Sequence, residues 1–402
     1  MFSSPASNLS KSLQVLWHFF WLGCVSFGGP AAHLGYFRQH FVERMKWLND
    51  NDYGQLIALS QFLPGPGSSQ VGFAIGYRYA GLLGAWAAFI GFTLPSFLLL
   101  LWVALYQPPS DQPIYALVIS GLKLLAVVVV ADAVLKMFRQ FCQRIETRVV
   151  AVVSALLLLG FAGNLMQIAV LVLAFAIGWR FFACKQIVNS TTPPNINKPL
   201  LSWLFLGFIG ALIAVYLLLP NQFISQYLWL NLFAPFAQAG SLVFGGGHVV
   251  LPLLQNSIGE QVSSEQFLTG YALAQAVPGP MFTIAAYLGA ILMPQTPIIG
   301  AVIATLGVFL PGLLLILALL NSWQKWAHHP QLQGGIKLLN AAVVGLLLAS
   351  LINPIASSAI VDLASALAAL FGFILLRRYQ LKIGWLLLIY ALIWPCILWI
   401  WG

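Results

Sequence analysis

Four short motifs occur twice in this chain, in the same order and about 214–217 residues apart. Ser26-Phe27-Gly28-Gly29-Pro30 answers Val243-Phe244-Gly245-Gly246-Gly247. Ala58 to Pro66, which ends Leu63-Pro64-Gly65-Pro66, answers Ala272 to Pro280, which ends Val277-Pro278-Gly279-Pro280. Gly84-Ala85, Gly91 and Leu94-Pro95 answer Gly300-Ala301, Gly307 and Leu310-Pro311, and Gly121-Leu122-Lys123 answers Gly335-Ile336-Lys337. A fold for this chain must therefore hold one unit twice. The seam is the polar stretch Lys185 to Lys198, which contains Pro193-Pro194. The expected division is an N-terminal half at 1–184, a linker with one extra apolar helix at 185–230, and a C-terminal half at 231–402.

The solvent of this unit follows from its charges. Of 402 residues, 60% are hydrophobic and 7% are charged, whereas soluble domains carry about 25% charged residues. That excludes a soluble enzyme, a disordered chain and a nucleic-acid-binding domain, and makes lipid the main solvent. The excess of 18 Lys+Arg over 9 Asp+Glu is first a topology signal. Cys24, Cys142, Cys184 and Cys396 have no metal-ligand spacing and read as small buried hydrophobes. The apolar run after the N-terminus has no small-residue cleavage site, so it reads as mature protein.

Spans of crossing length are expected at 81–106, 114–135, 199–219, 297–320, 335–353, 355–376 and 383–401, with a hairpin of shorter helices at 149–161 and 164–183. Four further stretches, 13–36, 55–79, 231–254 and 266–293, are each interrupted by a GG or PGP motif. Proline removes a backbone donor and glycine frees the backbone, so these read as re-entrant or discontinuous helix pairs. Folding each pair back to its own side gathers Lys11, Arg38, Arg44, Lys46, Arg78, Lys136, Arg139, Arg180 and Arg377 on one face, which is then cytoplasmic. Asp111, Glu260 and Glu265 fall on the other face. Each half then has four crossings and two re-entrant pairs, and the extra helix at 199–219 inverts the second half. The expected fold class is an all-α polytopic membrane protein with an inverted-topology repeat. Its N-terminus is cytoplasmic and its C-terminus external.

Inverted repeats with broken helices are an architecture of secondary transporters, with the substrate site near the midplane. A helix starting after a Gly/Pro turn presents free N–H groups and about half a positive charge, which suits an anion. The candidate binding residues are Ser26, Gly28, Gly29, His33, Gln61, Gly65, Gly67 and Ser68 in the first half, and Gly245, Gly246, His248, Gln275 and Gly279 in the second. Ser69 and Thr283 also sit beside helix starts. Lys123 and Lys337, repeat counterparts, are candidates for balancing the charge of an anion, or else snorkel to the interface. His33, His248 and Asp132 are candidates for proton coupling; Asp132 and Asp362 are the acidic groups within expected spans. No nucleophile, metal or nucleotide motif is present, so neither an enzyme nor a cofactor is expected.

At SFGGPAAHLGYFR (26–38), QFLPGPGSSQ (61–70), FGGGHVVLPLL (244–254) and QAVPGP (275–280) the sequence resembles the chromate ion transporter family in its long form with two fused halves. The resemblance covers about residues 13–400. It implies a secondary carrier of tetrahedral oxyanions in the bacterial plasma membrane, exporting chromate with the proton-motive force and conferring chromate resistance. Sulfate, of similar size and charge, is the alternative substrate, and an anion channel on the same architecture is the alternative mechanism. The partners expected are chromate or sulfate and the lipid bilayer, with an apolar exterior that suits a homodimer interface as well as lipid.

Overall fold

A computed structural model describes residues 5–106, 113–161, 163–182, 228–244, 247–258, 261–320, 329–381 and 383–396. The seam, the expected helix at 199–219, and Gly245 and Gly246 lie outside the described residues. The first half supplies α1 (Pro5–Val25), α2 (Gly29–Phe37), α3 (Asp50–Phe62), α4 (Gly67–Leu105), α5 (Pro113–Phe141), α6 (Ile145–Gly160) and α7 (Asn164–Phe181). The second supplies α8 (Leu228–Leu242), α9 (Val250–Ile258), α10 (Ser264–Ala276), α11 (Ile284–Leu292) and α12 (Pro297–Leu319). It continues with α13 (Pro330–Ser350), α14 (Leu363–Arg378) and α15 (Ile383–Leu388). The described residues contain no strand. Gly67–Leu105, Leu117–Phe141, Pro297–Leu319 and Pro330–Ala359 are long and apolar enough to cross a bilayer. The chain is an all-α polytopic membrane protein.

Each expected interruption is a break between helices: α1 from α2, α3 from α4, α8 from α9, and α10 from the turn that leads into α11. The 149–183 hairpin is α6 and α7, turning at Gly163. One expected boundary holds and one expected span changes. The helix starting after the first PGP ends at Ala80 and Gly81, where glycine takes a left-handed φ of 69°, and Gly76 then lies against Gly84, so α4 is two helical segments that turn back on one another there. The span expected at 355–376 is broken at its start. Pro354 ends regular pairing, Asn353 leaves helical geometry, and Asp362 caps α14 by accepting from the Ser365 N–H at 2.7 Å. Asp362 is thus a helix cap and not an acid within a span.

The chain forms two compact units, and each draws on both sequence halves. The first comprises Met1–Trp102, Gln186–Gly247 and Val277–His329; the second comprises Val103–Lys185, His248–Ala276 and Pro330–Gly402.

In the first unit the two repeats pack by the same rule. Gly23 on α1 faces the Gly91 and Phe92 carbonyls of α4, and Gly240 on α8 faces the Val308 carbonyl of α12. In return Gly91 faces the Leu16 carbonyl, and Gly307 faces the Phe233 carbonyl. Further on, Gly76 lies against Gly84, and Gly289 against Gly300. Small residues let backbones approach within lipid, where dispersion and not the hydrophobic effect holds helices together. Phe19, Phe37, Phe41 and Phe92 fill the space beside these contacts.

In the second unit α13 packs on α6 and α7, with Gly345 against the Ala151 carbonyl and Gly178 against Gly334. α5 packs on α14 and α10, and Gly121 admits the Tyr390 backbone. Tyr390 closes this corner by donating to the Ala368 carbonyl at 2.6 Å.

Candidate functional site

The breaks of the first unit are built from the residue types that forced them. Gly28 takes the left-handed N-cap position of α2, and Pro30 stands in its first turn, where a missing N–H costs nothing. At the PGP turns Gly65 (φ +123°) and Gly279 (φ +100°) hold backbone that an L side chain resists.

These turns are exchanged between the halves. The Gly65 N–H donates to the Val243 carbonyl at 2.7 Å, and the Gly279 N–H donates to the Ser26 carbonyl at 2.9 Å. Gly65 and Gly279 are repeat counterparts, and so are Val243 and Ser26. Each half therefore gives the other the same hydrogen bond, the signature of an isologous, two-fold contact. The surroundings repeat as well: Gly65 abuts Gly312, and Gly279 abuts Ser96. Gly247 lies beside Pro30, Met281 and Phe282, and Gly29 beside Met281. All four breaks are thus neighbours within this unit.

The polar side chains at this crossing come mainly from the first half. His33, 1% exposed, shares a 3.2 Å hydrogen bond between Nδ1 and Ser68 Oγ and sets its ring edge-on to Phe92. Gln70 donates from Nε2 to the Pro64 carbonyl at 2.8 Å and the Gly312 carbonyl at 2.9 Å, tying the first PGP turn to α12. The residues 214 positions after Ser68, Ser69 and Gln70 are Phe282, Thr283 and Ile284, so the second half is more apolar here. Thr283 turns its hydroxyl back onto the Pro280 carbonyl at 2.6 Å.

Several buried polar atoms of this unit have no hydrogen-bond partner among the described residues: Ser26 Oγ, His33 Nε2, Ser69 Oγ, Gln70 Oε1, Thr93 Oγ1 and Thr305 Oγ1. Burying one such group unpaired costs about 1–3 kcal/mol, so proteins rarely leave a group of them without a role. Apart from His33 and the phenols of Tyr53 and Tyr287, none of the buried side chains described in this unit is titratable. The site offers hydroxyls, an imidazole, and the starts of α2 and α4, all without a carboxylate.

The other candidates fall elsewhere. Gly28 and Gln61 are exposed, and Gly29 and Gly67 are half-buried. His248, Gln275, Asp132, Lys123 and Lys337 belong to the second unit. There His248 Nδ1 lies 3.1 Å from Tyr271 Oη and 3.2 Å from Gln275 Nε2. Asp132 is held by Lys136 at 2.6 Å and Arg377 at 3.3 Å. Lys337 pairs with Glu146 at 3.1 Å, so its charge is already answered within the chain. Lys123 is half-buried. Arg78, at the kink of α4, pairs with Asp52 at 3.4 Å. Sequence reasoning passed over Gln70 and Thr93. Their signal was position: Gln70 ends the GSSQ run after the first PGP, and Thr93 precedes Leu94-Pro95.

The chromate transporter family profile matches residues 13–179 and 230–394, which together are most of the chain. The chain belongs to the chromate transporter family. Among its relatives is a chromate transport protein of Cupriavidus metallidurans, 27% identical over 378 residues, covering 91% of this chain and 88% of the relative. Another is a chromate transport protein of Pseudomonas aeruginosa, 26% identical over 350 residues, covering 85% of this chain and 80% of the relative. An uncharacterized transporter of Methanocaldococcus jannaschii is 25% identical over 352 residues, covering 85% and 84%. No solved structure matches the chain. This family member is a transport protein rather than an enzyme, and a multi-pass membrane protein.

Proposed function

We propose that the chain exports chromate across the bacterial plasma membrane by alternating access, driven by the proton-motive force, with its substrate held where the four breaks of the first unit meet. The observation that carries the reading is the reciprocal exchange of Gly65 and Gly279 N–H groups between the halves, beside buried polar atoms without partners. A two-fold crossing of broken helices is the expected setting of an alternating-access site. The two-fold relation also supports inverted repeats, in which rocking exchanges the environments of equivalent turns. A tetrahedral dianion is held well by N–H and O–H donors pre-aimed in a dry site, because hydrogen bonds to a charged acceptor are about twice as strong as neutral ones. Ser26 Oγ, Ser69 Oγ and His33 Nε2 are the donors with capacity to spare. His33 is also the titratable group at the crossing, which makes it the first candidate for coupling a proton to the anion. Asp132, clamped between two cations, ranks below it.

Flux of labelled chromate in proteoliposomes tests this. Movement that follows an imposed pH gradient and falls when sulfate competes supports the reading. Chromate that stays put under every gradient refutes it.

A further inference from the structure

In the second unit a cavity of about 280 Å³ lies where three helix ends meet a break in a fourth helix. α6 and α9 end at it, α7 begins at it, and α13 passes it into a π-helical turn, Leu351–Ala356, that is distorted at Asn353. Its polar side chains are Gln167, Gln255, Asn256, Ser350 and Asn353, and among the described residues no charged one lines it. Gln167 is 5% exposed, and Gln255 Oε1 is buried with no partner.

The backbone adds more oxygen. The last four carbonyls of a helix have no partner within it. Leu158 and Leu159 near the end of α6, and Gln255 and Asn256 near the end of α9, line the cavity from such positions. Pro354 has no N–H to give the turn before it, where Ala349 and Ser350 line the wall. Asn353 departs from helical geometry at φ −137° and ψ 119°, which opens the backbone further.

Charge decides what this lining suits. Helix carboxyl ends carry about half a negative charge each and an amino end about half a positive one. Two of the former, α6 and α9, meet one of the latter, α7, so the field favours a cation. Divalent ions are held by carboxylates, and none is present among the described lining residues. Uncharged carbonyl and carboxamide oxygens are the ligands that alkali ions take, in filters and at unwound transporter helices. We infer that this cavity binds a monovalent alkali cation, Na⁺ or K⁺. Gln167 and Gln255 are its side-chain ligands, and the ends of α6 and α9 and the distorted turn at Asn353 supply backbone carbonyls. A water takes about 30 Å³ of liquid, so the ion enters with part of its hydration shell. The inference stands apart from the chromate reading: loss of chromate flux leaves it intact.

The test uses full-length protein purified in detergent, without transport. Its thermal midpoint is followed while NaCl, KCl or choline chloride is varied at constant ionic strength. A saturable rise with Na⁺ or K⁺ and none with choline is expected, and the more effective of the two identifies the ion. Gln255→Leu removes the rise. Gln255→Glu, which adds a negative oxygen at nearly constant shape, lowers the half-saturating concentration roughly tenfold. Equal midpoints in all three salts overturn the inference. So does a Gln255→Glu protein that is folded and binds the cation more weakly, which would show that residue 255 does not face the ion.

Discussion

At the residue scale, the contrast is between donors that have partners and donors that do not. His33 gives one nitrogen to Ser68 and keeps Nε2 free, and Ser26 uses its carbonyl for Gly279 and keeps its hydroxyl free. A hydrogen bond to a charged group contributes about 1.5–3 kcal/mol. His33→Ala and Ser26→Ala are each therefore expected to weaken chromate binding roughly 10- to 100-fold, measured by equilibrium binding to purified protein. Unchanged affinity in both would place the anion elsewhere. Lys337→Ala has a different expected outcome. It removes the nearer of two cations at the Glu146 carboxylate, with Arg144 remaining at 3.9 Å, so the melting temperature falls slightly while chromate affinity holds. A drop in affinity with no loss of stability would restore Lys337 as a substrate ligand. Lys337 was legible as an ionisable group inside a span. Its partner was not, because Glu146 lies 191 residues away and only the packing of α13 on α6 unites them.

At the element scale, the breaks were readable because the residues that make them act locally: Pro-Gly-Pro cannot continue a helix in any surroundings. The α6–α7 hairpin was readable for the same reason, at Gly163. The start of α14 was not, because apolar composition runs through 355–376 without a gap. There the boundary comes from Asp362 and Ser365, whose mutual capping sets where the helix begins. The division within α4 was legible too, because Gly81, at a left-handed φ of 69°, ends the first segment locally. The close glycine pairs give an element-scale prediction. Gly76→Leu and Gly289→Leu each force a side chain against a neighbouring backbone, Gly84 in one case and Gly300 in the other. Overpacking of this kind costs about 1–3 kcal/mol or more, so both variants are expected to melt earlier than the parent, and by similar amounts. Gly54→Ala is the control. Nothing lies within 4 Å of its added carbon, and alanine favours the helix by about 0.5–1 kcal/mol. If all three behave alike, the pairs do not hold the repeats together.

At the scale of the whole molecule, the repeat was legible and the compact units were not. Sequence similarity records ancestry of the two halves, whereas each unit collects pieces of both. The motifs therefore announced four breaks, but not that Gly65 would bond across to Val243 and Gly279 to Ser26. Orientation in the membrane is the molecule-scale prediction. Four crossings per half joined by one crossing linker require an N-terminal tag accessible only from the cytoplasm and a C-terminal tag accessible only from outside. Protease protection in right-side-out and inside-out vesicles reads this directly, and two tags on the same side would overturn that count of crossings.

The most direct measurement of the central claim is where chromium sits. A crystal of the protein grown with chromate and measured at the chromium absorption edge should show an anomalous peak within hydrogen-bond reach of Ser26 Oγ and His33 Nε2, beside the turn at Gly279. A peak among the cationic side chains of the second unit, with none at that crossing, would contradict the account.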